Sequence, residues 1–402
     1  MKILVLTRKM KGKANFIYNS YTNGITKNYP DSIVIDYFDL YFDLAKENFE
    51  KKILETIKVK KIDIVFINFI SGDLTFDLKF LQKIESVSYL IMNFYDSELF
   101  FEPIERYYAQ CANLVILPTS SAFTYYYKIL NINTTSTLSL FDIKKYENKK
   151  IKKDIDISFI GNIEKKSRQE FISFLQDKGY KVETYGLGTK NGKVSFDEMI
   201  DIFNRTKINL NFSDTITYRS FNRTYNTNYS TVPKITQFLQ QLKGRTIEVA
   251  LCGSFTLSQD ALGIDELFGK DEIDTFKTKD ELLQKVKYYL DNEDIIEEKS
   301  NLAYKTAIVK FDVERKFKEL FENLDLKNKI EKKIFIDDAF LSNFYTYHIL
   351  YLFNFLFKGR FKDFYQEFKL IEFRKLDLIT SYYHITQQFK YQVINKLFKG
   401  RK

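Results

Sequence analysis

The segment Lys243-Gly244-Arg245-Thr246-Ile247-Glu248-Val249-Ala250-Leu251-Cys252-Gly253-Ser254-Phe255 opens on one glycine, nearly closes on another and leads into an apolar run. Gly244 can open a helix whose first turn presents Arg245 and unbonded N–H groups, a setting suited to a diphosphate. Glu248 follows Arg245 by three residues and so shares its helix face. The rest of the helix is apolar, so burying Glu248 without a polar partner would be costly. Two readings follow. Either Glu248 accepts both hydroxyls of a ribose, or it pairs with Arg245 on the surface.

Outward from this segment the chain alternates strand-like and helix-like stretches. Upstream lie Asp156–Ile160 (strand), Ser167–Lys178 (helix), Lys181–Tyr185 (strand), Ser195–Asn204 (helix) and Ile208–Phe212 (strand). A polar loop is read at Ser213–Ser230, and Phe255–Leu257, Lys279–Asp291 and Ile295–Val309 complete the unit. The first part of the chain repeats the theme. Ile3–Leu6, Ile33–Tyr37, Asp63–Phe69, Tyr89–Phe94 and Leu114–Leu117 read as strands, and Ala45–Lys58 and Pro103–Ala112 as helices. Strands separated by helix-length segments predict βαβ units and mostly parallel sheets. The lysine-rich stretch Lys144–Lys153 reads as a linker. The expected organisation is therefore 1–148 and 149–328 as two Rossmann-like α/β domains. Residues 329–402 then form a basic, aromatic helical extension, with Phe361, Phe364, Tyr365, Phe368 and Ile371 at helical spacing.

Of 402 residues 45% are apolar and 29% charged, enough for a packed core and against global disorder. The net charge of +9 is uneven: residues 331–402 hold 13 Lys and Arg against 7 Asp and Glu. That favours an anionic partner for the tail, or a solubilising helix face. Cys111 and Cys252 sit in apolar surroundings and read as two buried thiols of a reducing compartment. No stretch reaches the roughly 20 apolar residues that cross a bilayer. The expected location is cytoplasmic, or peripheral to the inner face of the membrane.

His348 and His384 are the only histidines, and both fall in the tail, which excludes His-based triads and His-based metal sites from the α/β part. Walker A and G-x-G-x-x-G sequences are missing. Carboxylates, Lys, Arg and backbone dipoles must carry any chemistry there. Ile157-Ser158-Phe159-Ile160-Gly161-Asn162 is an apolar strand ending in Gly161 and Asn162 before a helix, where a ligand can approach the backbone and a helix N-terminus favours anions. The same turn also occurs for purely structural reasons.

Leu242–Phe255, followed by Gly263-Ile264-Asp265-Glu266-Leu267-Phe268, resembles the C-terminal segment of the glycosyl transferase group 1-like family, in the branch of the spore-maturation CgeB-like proteins. Lys279–Leu283 through Lys287-Tyr288-Tyr289-Leu290 resembles that branch's acidic helix ending in Y-Y-L. Ile157–Asn162 and Lys207-Ile208-Asn209-Leu210-Asn211-Phe212 resemble its F-x-G-N and K-I-N-L-N motifs. Asn93-Phe94-Tyr95-Asp96 resembles its W-x-D-D element, with Trp replaced and one Asp kept.

The resemblance implies a GT-B architecture: two Rossmann-like domains facing a central cleft, the second binding a nucleotide sugar, with UDP or GDP as the expected carrier. It implies that Glu248 binds the ribose and that Arg245, with Lys207, neutralises the diphosphate. Gly161, Asn162, Asn209, Lys243 and Gly253 complete the expected donor site, with no metal and no cofactor beyond the donor. Many retaining members carry a glutamate eight residues before Glu248; here it is Gln240, so the paired-glutamate pattern is broken. If the anomeric centre inverts, the general base must come from the first domain. Asp96 is the candidate, with Glu98 and Glu102 as fallbacks and an N-capping role for Asp96 as the alternative.

The expected partners are the donor and a glycan or lipid-linked glycan acceptor, without nucleic acid. The tail is expected to contact a membrane peripherally, to pack on the two main domains or to form a homodimer interface. The alternative function is a non-catalytic GT-B-like glycan-binding or scaffold module.

Overall fold

The structure is a computed structural model that describes residues 1–8, 16–214, 240–327 and 334–390. Residues 215–230 of the predicted polar loop lie outside the described residues.

Six strands form the first sheet: β1 (Ile3–Thr7), β2 (Ile33–Asp36), β3 (Ile64–Asn68), β4 (Tyr89–Asn93), β5 (Leu114–Leu117) and β6 (Thr134–Ser136). They run parallel in the order β2-β1-β3-β4-β5-β6. Strands β1, β3 and β4 are buried along their whole length, as their continuous apolar runs require of a parallel sheet covered on both faces. Leu4 and Leu6 of β1 belong to one core, while Ile3 and Val5 belong to the other. The connecting helices are α1 (Phe16–Asn28), α2 (Tyr37–Lys60), α3 (Leu78–Val87), α4 (Ser97–Phe100), α5 (Arg106–Ala109) and α6 (Thr124–Lys128), with a π-turn at Phe101–Glu105 between α4 and α5. Helix α2 is broken at Ala45, where the backbone is left-handed, so the helix predicted from that residue is its second limb.

The second sheet holds β7 (Ile155–Ile160), β8 (Val182–Tyr185), β9 (Thr206–Asn211), β10 (Thr256–Gln259) and β11 (Asp274–Phe276), parallel in the order β11-β10-β9-β7-β8. Helices α7 (Lys166–Asp177), α8 (Phe196–Arg205), α9 (Arg245–Leu251), α10 (Ile264–Leu267), α11 (Lys279–Asp291) and α12 (Glu293–Lys310) accompany it. In α8 the Ser195 hydroxyl accepts from the Glu198 amide while the Glu198 carboxylate accepts from the Ser195 amide, a reciprocal cap that sets the helix start.

After α12 the chain crosses back. Phe141 bridges to this segment in parallel: its amide donates to the Phe311 carbonyl at 2.9 Å, and its carbonyl accepts from the Val313 amide at 3.0 Å. Helix α13 (Val313–Glu322), which falls inside the segment assigned by sequence to the second domain, packs on the first sheet. Its Val313, Phe317 and Phe321 close the core beside Tyr21 and Ile25 of α1.

Helix α14 (Asp338–Phe357) covers the other face: Phe340, Phe344, Tyr351 and Phe355 join the core of α2 and α3. The extension is thus built into the first unit, and its early aromatics are core. Helices α15 (Phe361–Leu370) and α16 (Leu378–Phe389) pack on α14. Deleting a fully buried phenyl ring leaves a cavity, so Phe355→Ala should cost about 3–5 kcal/mol. Urea unfolding followed by circular dichroism would show the transition of the first unit moving down. A transition that stays in place would mean that the extension unfolds on its own.

Candidate functional site

Ligands of open parallel α/β sheets bind at the carboxyl ends of the strands, where the strand order reverses. In the second sheet that point lies between β7 and β9. Gly161 follows β7, and its amide donates to the Tyr185 carbonyl at 2.8 Å. The facing residue is Gly186, at φ +120°, where a Cβ would stand 2.1 Å from the Gly161 oxygen; only glycine fits. The Asn162 side chain accepts from the Glu164 amide at 2.8 Å and so shapes the turn into α7. Its carbonyl accepts from Arg168 Nη1 at 2.9 Å.

Three cations gather at this end. Buried Arg168 donates through Nε to Asp214 Oδ1 at 2.7 Å, and Lys165 donates to the Asp214 carbonyl at 2.9 Å. Ser167 donates to the second Asp214 carboxylate oxygen at 2.9 Å. Lys243 reaches the same place from the start of α9 and donates to Gln241 Oε1 at 2.6 Å. Burial, with the like charges of Arg168 and Lys243, pushes Lys165 down to about 8. Burial likewise lowers Lys243. One carboxylate, Asp214, serves this group from its own unit, so the cluster favours an added anion.

The first unit supplies carboxylates opposite. Asp96 follows β4 in a left-handed conformation (φ 56°), strained for a residue with a side chain, by about 1–2 kcal/mol. Asp96 stands at the N-cap position of α4, its carbonyl accepting from the Leu99 amide at 2.8 Å, but its side chain makes no capping bond. Instead Asp96 Oδ2 accepts from the Ser71 hydroxyl at 2.6 Å. Gln241 crosses from the second unit: its amide nitrogen lies 3.3 Å from Asp96 Oδ1 and 3.1 Å from Glu98 Oε2. Glu98 also accepts from Thr119. Glu102, in the π-turn, pairs with Arg106 at the start of α5 at 3.0 Å.

A second clamp joins the units. Glu266, from the G-x-x-E-L-F motif, accepts from the Ser120 hydroxyl at 2.5 Å and from the Ser121 amide at 2.8 Å.

Arg245 and Glu248 do pair, at 3.2 Å. Glu248 is nevertheless buried, and its other oxygen accepts from Tyr146 Oη at 3.0 Å. Tyr146 belongs to the predicted linker and stacks edge-on against Phe196 of α8 at 5.3 Å. The guanidinium of Arg245 lies 5.3 Å over the Phe203 ring.

Three expected donor-site residues lie elsewhere. Lys207 enters β9 at its amino end, opposite the switch point, and is held by Asp156 at 2.7 Å and Glu293 at 2.8 Å. Asn209 is buried within the sheet and takes the Ser158 hydroxyl at 3.2 Å. Gly253 ends α9 at φ +64°, where a Cβ would meet Asn148, beside a 920 Å³ cavity that Lys207 also lines. Sequence reasoning missed Lys165, Arg168, Asp214 and Gln241. The signal for the first two was present: cations in the first turn after a strand-Gly-Asn stop.

Residues 166–322 match the model of the glycosyl transferase-like family. No curated protein matches the sequence. Among solved structures, HepE of Anabaena in complex with UDP and glucose aligns with TM-score 0.55 and 13% identity, over 81% of this chain and 100% of that one. A glycosyltransferase from Rickettsia africae aligns with TM-score 0.56 and 12% identity, over 82% and 99%. Sucrose-phosphate synthase of Thermosynechococcus elongatus aligns with TM-score 0.54 and 8% identity, over 80% and 98%. At these identities the likeness is one of architecture. The chain has the GT-B fold, two parallel α/β sheets with a helical extension.

Behind Asp96 the fully buried Glu105 ends the π-turn, with Tyr127 Oη 2.7 Å from its carboxylate. Burial pushes it up to about 8, and Glu98 and Asp96 add to the rise. The folded state therefore keeps a proton that the unfolded chain releases near its ordinary 4.5. Stability from this group is full below pH 4.5 and is lost as pH rises through 8. Thermal unfolding across that range should show wild type losing about 2–5 kcal/mol relative to Glu105→Gln, which carries no titrating proton. Parallel pH profiles for the two proteins would refute it.

Proposed function

We propose that the chain is a glycosyltransferase that moves a sugar from a nucleotide-sugar donor to a cell-surface glycan or glycoconjugate acceptor. One observation carries the reading: Gln241 joins the carboxylates Asp96 and Glu98 of one unit to the cation group Lys165, Arg168 and Lys243 of the other. The family match over 166–322 supports it, and the K-G-R and G-x-x-E-L-F motifs are the ground for proposing the CgeB-like branch.

In this proposal residues 149–328 bind the donor and 1–148 face the acceptor. Lys165, Arg168 and Lys243 oppose the charge that builds on the diphosphate as it leaves, without a metal ion. Glu248 exchanges Tyr146 for the ribose hydroxyls, and Arg245 sets its orientation. Asp96, with Glu98 as the fallback, takes the acceptor hydroxyl proton while that oxygen attacks the anomeric carbon and the bond to the diphosphate breaks. A UDP or GDP carrier is proposed. HepE, similar in fold, was crystallised with UDP. The proposed workplace is the cytoplasmic side of the membrane, with a peripheral attachment.

A thermal-shift panel of UDP, GDP, CMP, dTDP and ADP tests the donor site. One nucleotide should stabilise wild type. Lys165→Ala should weaken its binding by about tenfold to a hundredfold, as loss of a charge-assisted contact costs about 1.5–3 kcal/mol. Glu248→Ala should weaken UDP and UMP alike, since both carry the ribose. No stabilisation by any nucleotide would sink the site. Stabilisation without turnover of any sugar donor would make the chain a binding module instead.

Protonated Lys165 is the binding form, so affinity should hold below pH 8 and fall as pH rises through it. Titration calorimetry at a series of pH values would show this. An affinity that rises with pH would exclude Lys165 from the diphosphate.

A further inference from the structure

We infer that α15 and α16 form a docking face for an anionic lipid bilayer, on which the chain lies without crossing it. A helix on a protein surface ordinarily turns its polar stripe outward. Here apolar side chains stand outward beside the polar ones, and polar groups are buried among the apolar ones that pack inward. Helix α15 buries Glu367 against His348 and Tyr41. It exposes Phe361 (68%), Tyr365 and Phe368, which recur at i, i+4 and i+7 and form one stripe. Phe373 extends it, its ring 4.8 Å from that of Phe368. Helix α16 buries Thr380, Ser381 and His384 and exposes Leu378 (77%), Ile379 (84%), Tyr382 (71%) and Phe389.

The charge around these stripes selects the occupant. Lys362 and Lys369 flank the α15 stripe, and Lys369 Nζ lies 4.5 Å over the Tyr365 ring. Arg374 is exposed between the helices. The described residues 358–390 carry 7 Lys and Arg against 4 Asp and Glu, one of them the buried Glu367. A second copy would bring basic rim against basic rim, which disfavours self-association. Exposed aliphatic and aromatic side chains with lysines at their margin match an acyl boundary under anionic headgroups. Among the described residues no helix is long and apolar enough to cross a membrane, so the face lies on the bilayer.

The extension is fixed to the acceptor side. His348 Nε2 of α14 contacts the Leu74 carbonyl at 3.0 Å, and Tyr347 Oη donates to Asp73 at 3.3 Å. Ser71 of the same loop holds Asp96 at 2.6 Å. A bilayer under α15 and α16 is thereby held in a set relation to Asp96, which suits a lipid-linked acceptor. That last link rests on the transferase reading; the docking face does not.

The test is sedimentation of the whole chain with vesicles of phosphatidylcholine alone and of equal parts phosphatidylcholine and phosphatidylglycerol, at low and high salt. Wild type should bind the anionic vesicles, less in high salt, and should bind neutral ones weakly. The Leu378→Glu, Ile379→Glu double variant should bind more than tenfold more weakly with an unchanged melting temperature. Val59→Glu, an exposed apolar site on α2, should bind as wild type does. Three results would overturn the inference: no binding to anionic vesicles, a double variant that binds like wild type, or a wild-type dimer that the double variant dissolves. Binding of single-stranded nucleic acid in place of vesicles would overturn it as well. Failure of wild type to bind any nucleotide would count against the transferase reading and leave the vesicle result standing.

Discussion

A parallel sheet with two apolar faces has to be covered on both, and the first sheet meets that demand with chain from far away in sequence. Helices α1, α2 and α3 leave room on each face. Helix α13 fills one side and α14 the other, so residues beyond 312 return to a unit that the chain left near residue 150. Each buries several aromatic rings, worth about 1.5–3 kcal/mol apiece. The crossing is reinforced where Lys144 and Lys27 meet Glu314. Most of what distinguishes this molecule follows from that return. It anchors the tail, braces the loop at 70–77 and leaves α15 and α16 as the outermost layer.

The cleft is organised by opposed charge. Lys165 and Arg168 share the side chain and carbonyl of Asp214 on one side, with Lys243 held by Gln241 beside them, while Asp96 and Glu98 share the Gln241 amide on the other. Neither arrangement is relaxed. Lys165 is held among like charges, and Asp96 keeps a backbone conformation that a side chain disfavours. Strain and like-charge crowding of this kind persist where the surrounding structure over-determines them, and they concentrate at sites that bind or react. Glu266 adds a direct tie between the units at Ser120 and Ser121, beside the one that Gln241 makes to Asp96 and Glu98.

Much of this could be read in advance, and the failures have definite causes. The Arg245–Glu248 pair followed from helical spacing alone, but Tyr146, its third member, is separated from Glu248 by 102 residues and left no local sign. Lys207 lies away from the switch point, and its place in the strand pattern shows why. It precedes the apolar part of its strand and so stands at the amino end, while ligands meet parallel strands at the carboxyl end. Arg168 and Lys165 followed a recognised stop at Gly161 and Asn162 and were legible on the same rule. The aromatics of 338–357 leave packing on the main domains, membrane contact and dimerisation open at the level of sequence, because a helix buried nearly all round carries no amphipathic stripe to show what covers it.

The sequence by itself determined the two α/β units, the order of their strands and helices, the helical character of the tail and the shortage of histidine chemistry. These depend on local periodicity and composition, which act within a few residues. Only the tertiary structure decided that α13 and α14 complete the first unit, that Gln241 joins two carboxylates to Lys243 of the cation group, and that among the described residues one face of α15 and α16 stays uncovered. Those outcomes depend on which distant surfaces bury each other. That balance is set by the whole chain's apolar area, and no single stretch carries it.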